Sequence, residues 1–343
     1  MTALIRLDRA ACANRIFPLV LSAIAMFTGG AHIADARSDL TQVRLDYAYY
    51  SPASLVIRRF GWLEHELEPS GIGVQWVLSQ GSNRALEYLN SGAIDFGSTA
   101  GLAALLSRAN GNPIKAVYVY SRPEWTALVV AKGSPLQSVT DLRGKTIAAT
   151  KGTDPFLFLL RSLHQFGLRR DDVRVVHLQH PDGRVALEEG RVDAWAGLDP
   201  HMAASELDAG SRLLYRNVAF NTYGFLNVTE KFAQQHPAQM KQVLNAYERA
   251  RQWIIAHPDE AAGILADEAR LSRKVAQLQL SRTDFSNPVP GSEHIQALRA
   301  AAPILKDEAL VRADVDLNRT IDELIDPRAA TLAGLDNSRW IDR

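Results

Sequence analysis

Val43-Arg44-Leu45-Asp46-Tyr47-Ala48-Tyr49 alternates apolar and polar residues, the period of a strand with one face more buried than the other. From Ser54 the pattern becomes helical, through Leu55, Val56 and Phe60 to Leu63. Val74 to Leu78 reads as a second strand and Asn83 to Asn90 as a short helix. A third strand, Ile94 to Gly97, runs through Ser98 and Thr99 into an Ala/Leu-rich helix that ends near Ala109. Ala116 to Tyr120 and Ala127 to Ala131 are further strands. Strands alternating with helices predict crossover units and a largely parallel sheet.

The second half repeats this grammar. Ser138 to Lys145 is a turn with a short helix that launches a strand, Thr146 to Thr150. A helix follows to about Phe166, with Asp154 as its expected N-cap and Pro155 as its first helical residue. Val173–Leu178 and Val192–Trp195 supply more strands. One internal echo supports two halves of related build. Arg84, a short apolar-faced helix, Gly92 and then Ile94-Asp95 are matched by Arg184, a short helix, Gly190 and Val192-Asp193. After a strand at Tyr223–Val228 the chain turns helical, with a long amphipathic stretch from Pro237 to Ala256. Thr283–Gly291, rich in Pro, Ser and Asn, reads as a loop, and the tail from His294 as a helical scaffold.

The first forty residues follow a different pattern. Arg6, Arg9 and Arg15 precede an apolar stretch from Ile16 to Phe27, and Ala34-Asp35-Ala36 fits a small-residue cleavage site. These features predict a secretory signal peptide, 1–36, cleaved after Ala36, and a periplasmic location. Cleavage removes three Arg and two Asp, so 38 basic and 38 acidic residues become 35 and 36, and the one cysteine, Cys12, is lost. A neutral, cysteine-free mature chain argues against nucleic acid as a partner and excludes disulfides, cysteine-rich zinc sites and iron–sulfur clusters. No apolar run reaches the roughly 18 residues of a membrane span.

The candidate chemistry lies at three strand-to-helix junctions: Gly81-Ser82, Ser98-Thr99-Ala100 and Gly152-Thr153. First-turn amides of a helix lack internal partners and carry the positive end of the helix dipole, so small residues there let an anion approach. In open α/β sheets ligands gather at the carboxyl ends of strands, where these junctions fall. Tyr49, Tyr50, Trp125, Trp195 and Tyr223 are candidate walls for an organic ligand. No nucleophile elbow, phosphate loop or His-Glu-x-x-His motif occurs, so no catalytic residues are expected. His177, His180, His201 and Asp199 lack helical spacing for a metal, and neither metal nor cofactor is expected.

Four segments carry a family resemblance: SGAIDFGSTAG from Ser91, SPLQSVTDLRGKTIAATKGTD from Ser134, VALEEGRVDAWAGLDPHMA from Val185, and HPAQMKQVL with IIAHPDEAA from His236 and Ile254. In this combination the chain resembles the aliphatic sulfonate, taurine and nitrate substrate-binding proteins of ABC importers, over about Val43 to Leu265. The resemblance implies an α/β, type II periplasmic-binding fold. Each lobe is a mixed, mostly parallel sheet flanked by helices, and the C-terminal tail is helical. Lobe 1 would comprise 41–122 and 223–343 and lobe 2 127–218, with crossings near 121–126 and 219–223. It also implies a non-enzymatic, monomeric protein that captures a small organic anion and delivers it to permease subunits, meeting the membrane only through them. The implied ligand-facing residues are Tyr49, Tyr50, Ser51, Gly81, Ser82, Ser98, Thr99, Gly152, Thr153, Asp154, Trp195, Asp199 and Tyr223, and His180 lines the mouth. Asp154-Pro155 and His180 depart from the sulfonate binders, which usually carry neutral residues and a proline there. A carboxylate at 154 would repel a sulfonate unless it capped its own helix. These departures point to a zwitterion with an amine, or a neutral heteroaromatic, as the ligand. The alternative solutes are a thiamine-precursor pyrimidine, nitrate or a phosphonate, and the further alternative is an enzyme on the same fold.

Overall fold

The computed structural model describes residues 40–335, so the expected signal peptide lies outside the described residues. Among the described residues, eleven strands form two sheets. They are β1 (Gln42–Tyr47), β2 (Gly73–Leu78), β3 (Phe96–Ala100), β4 (Ile114–Pro123), β5 (Thr126–Val130), β6 (Thr146–Ala149), β7 (Arg174–His177), β8 (Ala194–Leu198), β9 (Arg212–Tyr215), β10 (Gly224–Thr229) and the two-residue β11 (Thr283–Asp284). The first sheet has the order β11-β4-β10-β3-β1-β2 and the second β7-β6-β8-β5-β9. The chain crosses from the first sheet to the second between Pro123 and Thr126 and returns between Tyr215 and Gly224.

Both sheets are parallel arrays with one reversed strand inserted, and the first also carries the short β11 antiparallel at its edge on β4. β1 pairs parallel with β2 and β3, while β10 lies antiparallel between β3 and β4. β6 pairs parallel with β7 and β8, while β5 lies antiparallel between β8 and β9. The reversed strand is in each case the one that follows a crossing. The helix His201–Asp208 and strand β9 are additions to the sequence-based reading, and β11 interrupts the expected 283–291 loop.

The internal echo has a hydrogen-bonded counterpart. Asp95 donates its amide to the Arg44 carbonyl (2.8 Å), and its Oδ2 accepts the Arg44 amide (2.9 Å). Asp193 donates its amide to the Thr146 carbonyl (2.8 Å), and its Oδ2 accepts the Thr146 amide (2.8 Å). The preceding turns contain Gly92 and Gly190, both at φ 70°, where a side chain would be strained. The same residue pattern therefore registers β3 on β1 and β8 on β6.

The helices cover these sheets with aliphatic faces. Leu86 and Leu89 of the helix Ser82–Ser91 are buried beside β3, and a Cβ at Gly97 would come within 2.8 Å of Leu89. Phe156, Leu157, Leu159 and Leu160 of the helix Asp154–Gln165 are buried almost completely. A separate apolar cluster fills the other face of the second sheet, with Trp195 at its centre and Val129, Leu187 and Met202 around it. Burial at about 25 cal/mol per Å² of apolar surface makes these faces the main source of the fold's stability.

Candidate functional site

The two sheets touch through residues just beyond the carboxyl ends of their strands. Gly81 follows β2 and Gly152 follows β6, while His180 follows β7 and begins the helix His180–Glu188. A Cβ on Gly81 would lie 3.0 Å from His180 Nε2 and 2.9 Å from Asn83 Oδ1. The imidazole of one sheet thus rests against the bare Cα of the other. Gly152, at φ 78°, faces back, and a Cβ there would lie 3.6 Å from the Asn83 Cβ. Glycine is required at 152 for its backbone and at 81 for its missing side chain, since Gly81 is extended at φ 178°.

The three junctions singled out in the sequence are not equivalent. At the helix Gly101–Ala109 the chain itself occupies the leading amides. Ser82 Oγ accepts from Ala100 N (3.0 Å), the Tyr223 carbonyl from Gly101 N (2.9 Å), and Thr222 Oγ1 from Leu102 N (3.1 Å). At the Ser82 and Asp154 helices, the amides of Ser82, Asn83, Asp154 and Phe156 have no acceptor among the described residues. Thr153, not Asp154, is the N-cap of the second of these helices, so Pro155 is its second residue. The Thr153 hydroxyl donates to the Thr150 carbonyl (2.6 Å), holding the Thr150–Thr153 turn closed.

Asp154 does not cap its own helix. Its Oδ2 accepts from Trp125 Nε1 (3.0 Å) and Thr222 N (3.1 Å), and its Oδ1 from the Thr222 hydroxyl (2.9 Å). Those donors belong to the two connections between the sheets, so the carboxylate ties both crossings to one helix start. Burial raises the Asp154 pKa, against the lowering effect of these donors. Trp125 meets Tyr50 edge-on, with ring centroids 6.0 Å apart.

The remaining expected site residues divide by what they touch. Tyr50 donates to the Ser98 carbonyl (3.0 Å), and Ser51 and Ser98 join through their hydroxyls (3.3 Å). Asp46 Oδ1 accepts the Ser98 amide (2.8 Å), and burial lifts that carboxyl to about 7. Thr99 Oγ1 accepts from Asn227 Nδ2 (2.7 Å), which commits it to β10. Tyr49 and Tyr50 line a small cavity with Asp199 and His201. Asp199 Oδ1 caps Ala203 N (2.8 Å), while Oδ2 faces Arg282 Nη1 at 3.5 Å; burial raises its pKa to about 7.

Two expectations need correction. Trp195 lies inside β8, fully buried, with Gly183 packed so closely that a Cβ there would sit 2.7 Å from the indole nitrogen. An uninterrupted apolar strand gives no clue to which residue ends it, and Trp195 is core, not wall. The Tyr223 ring packs on His294, with centroids 4.3 Å apart, and lies under the Arg122 guanidinium; its backbone carbonyl is the part that reaches a helix start.

A groove of about 730 Å³ opens between the sheets. Asn83, Leu86 and Leu106 line it from the first, and Lys151, Gly152 and Gln179 from the second. Asn83 and Thr222 complete the arrangement without having been assigned to it from sequence, while Trp125, expected as a ligand wall, takes part as a donor to Asp154. Asn83 was within reach, as it directly follows Gly81-Ser82, whereas no local pattern marks Thr222.

The NMT1/THI5-like family matches residues 64–261. A Bacillus subtilis protein named as an aliphatic sulfonate-binding protein is 27% identical over 310 residues, covering 89% of this chain and 93% of that one. An Escherichia coli protein of the same description is 29% identical over 289 residues, covering 83% and 90%. Among solved structures, the alkanesulfonate-binding protein SsuA from Xanthomonas axonopodis pv. citri, bound to MOPS, superposes with a TM-score of 0.75 at 27% identity, covering 82% of this chain and 97% of that one. With more than half of its length matched, and with the two-sheet architecture shared by these relatives, the chain belongs to the NMT1/THI5-like family.

Proposed function

We propose that the protein is the solute-binding component of an ABC importer, which takes a small organic anion of the aliphatic sulfonate kind between two lobes and delivers it to a membrane permease. One lobe is built on each sheet, 41–122 with 223–343 and 127–218, and the crossings between them flex to open and close the cleft. The mature chain works in the periplasm after loss of its first 36 residues, and it acts by capture and release without chemistry of its own. The observation that carries this reading is the meeting of two uncapped helix starts, at Ser82 and Asp154, across the Gly81–His180 and Gly152–Asn83 contacts.

A sulfonate has three acceptor oxygens and one negative charge. Oriented amides at two helix starts match it without a lysine or arginine, and Gly81, Ser82, Gly152 and Thr153 leave the space. Closure is favoured because the ligand then contacts both sheets at once, a differential affinity that shifts an open–closed equilibrium. Asp154 is compatible with such a ligand because both its oxygens accept from Trp125 and Thr222 and burial disfavours its charged form. The test is a thermal-shift and calorimetric panel of ethanesulfonate, butanesulfonate, MOPS, taurine, nitrate and a methylphosphonate. A ligand at a hundred times its Kd adds about 2.7 kcal/mol to the folded state and raises Tm accordingly. Stabilisation by sulfonates is the expected result; stabilisation only by nitrate, a phosphonate or none of the panel would overturn it.

A further inference from the structure

The His180 side chain is fully buried, yet one of its ring nitrogens has no partner. The protonation of the ring follows from its neighbours. His180 Nδ1 lies 3.2 Å from Thr150 Oγ1, and that hydroxyl donates its only proton to the Leu178 carbonyl at 2.7 Å. Thr150 Oγ1 is therefore the acceptor toward His180, and Nδ1 carries the hydrogen. Burial holds the imidazole pKa down at about 3, so the ring is neutral and has no second proton to place. Nε2 is left as a bare acceptor at the contact between the sheets, about 3 Å from where a Gly81 side chain would begin. Two further unpaired acceptors lie nearby: Asn83 Oδ1 meets the same point on Gly81, and Gln179 Oε1 lines the adjoining groove. The unpaired donors of this region are the Ser79 hydroxyl, two residues before Gly81, and Trp195 Nε1, packed on Gly183.

A buried acceptor without a donor costs about 1–3 kcal/mol, and the Gly81 and Gly152 contacts leave the pairing to whatever enters the cleft. We propose that His180 Nε2 reads a hydrogen-bond donor on the ligand, so that the protein selects organic anions carrying an amine or hydroxyl over alkyl anions of the same length. This inference rests on the reading of the cleft as an anion-capturing site. The anionic end is held by the helix-start amides and the donor end by the neutral imidazole, with Asn83 and Gln179 as further acceptors. A hydrophobic pocket discriminates weakly against an added polar group, whereas a site built to pair one rejects the analogue that lacks it.

The test uses three probes that differ at a single position: ethanesulfonate, 2-hydroxyethanesulfonate and 2-aminoethanesulfonate, each titrated calorimetrically into the folded protein. At least one donor-bearing probe should bind tenfold or more tightly than ethanesulfonate. In His180→Leu that preference should collapse to within about twofold while ethanesulfonate binding persists, and His180→Gln, which places an oxygen near the Nε2 position, should restore part of it. Equal affinity for all three probes in the native protein would overturn this inference and leave the anion reading standing. A preference that survives in His180→Leu would likewise overturn it. Binding of none of the three would overturn the anion reading and this inference with it. Thermal melts of both variants establish that the comparison is made on folded protein.

Discussion

The helix starts at Gly101 and at Ser82 look alike in sequence, each reached from a strand through small and hydroxyl residues, yet they have opposite fates in the fold. The Gly101 start is closed by the chain itself: Ser82, Thr222 and the Tyr223 carbonyl accept its leading amides. The Ser82 start has no such acceptors, and it faces the equally uncapped Asp154 start of the other sheet. Two of the three acceptors at the Gly101 start, Thr222 and Tyr223, lie about 120 positions away in sequence, because β10 lies against β3 and brings the second crossing onto the Gly101 helix. An anion site in this protein is thus defined less by which helix starts are exposed in sequence than by which the returning chain leaves uncovered.

The largest effect should come from filling the contact between the uncapped starts. Gly81 is extended, so Gly81→Val places no strain on the backbone at that residue. Its Cβ would come to about 3 Å from His180 Nε2 and Asn83 Oδ1, and the further methyl groups would hold the sheets apart. Affinity for a bound sulfonate should fall by at least a hundredfold, while the melting temperature without ligand changes little. Calorimetry paired with a thermal melt checks both. Undiminished affinity would mean that the ligand does not depend on this contact, and the uncapped starts would lose their claim.

The capped start is sharpened by removing Asp154. Asp154→Ala leaves Trp125 Nε1 and the Thr222 amide and hydroxyl without their acceptor. Unpaired buried donors should lower stability by about 2–3 kcal/mol in denaturant titration. Because Thr222 also accepts the Leu102 amide, the loss should spread to the Gly101 helix as faster exchange of its first amides. Unchanged stability would show that the crossings are held by something other than this carboxylate.

Much of this was legible in the sequence, for identifiable reasons. The alternation around Val43–Tyr49 and the Gly-x-(Ile/Val)-Asp turns predicted the strands of both sheets, because a side-chain period and a left-handed glycine are local properties. Gly81, Ser82, Gly152 and Thr153 stood out because strand-to-helix junctions are local as well. What was not legible depends on pairing across the fold. Ala194-Trp-Ala-Gly-Leu198 has no polar positions to reveal a face, so Trp195 read as a wall when it is core. Asp154 read as a helix cap because nothing near it names Trp125 or Thr222 as partners. The reversed direction of β5 and β10 follows from the crossings, and strand composition carries no direction.

A pH-dependent effect concerns how the strand leading into the capped start is held. Asp46 lies fully buried on β1 beside β3, with Oδ1 accepting the Ser98 amide and Oδ2 unpartnered. Desolvation raises its pKa from 3.8 to about 7, so the folded state binds the proton more tightly than the unfolded chain does. The stability from that proton is fully present below about pH 4 and is lost as pH rises through about 7. Asp46→Asn keeps the oxygen facing Ser98 and has no charge to bury at any pH. Its stability relative to the native protein should therefore climb between about pH 4 and 7 and level off above, by about 4 kcal/mol in all. Denaturant titrations of both proteins across that range measure the difference directly. A difference that stays flat with pH would mean that Asp46 is ionised in the folded protein throughout. The acceptor on the Ser98 segment would then be a charged one, and the contrast between the two kinds of helix start would rest on geometry alone.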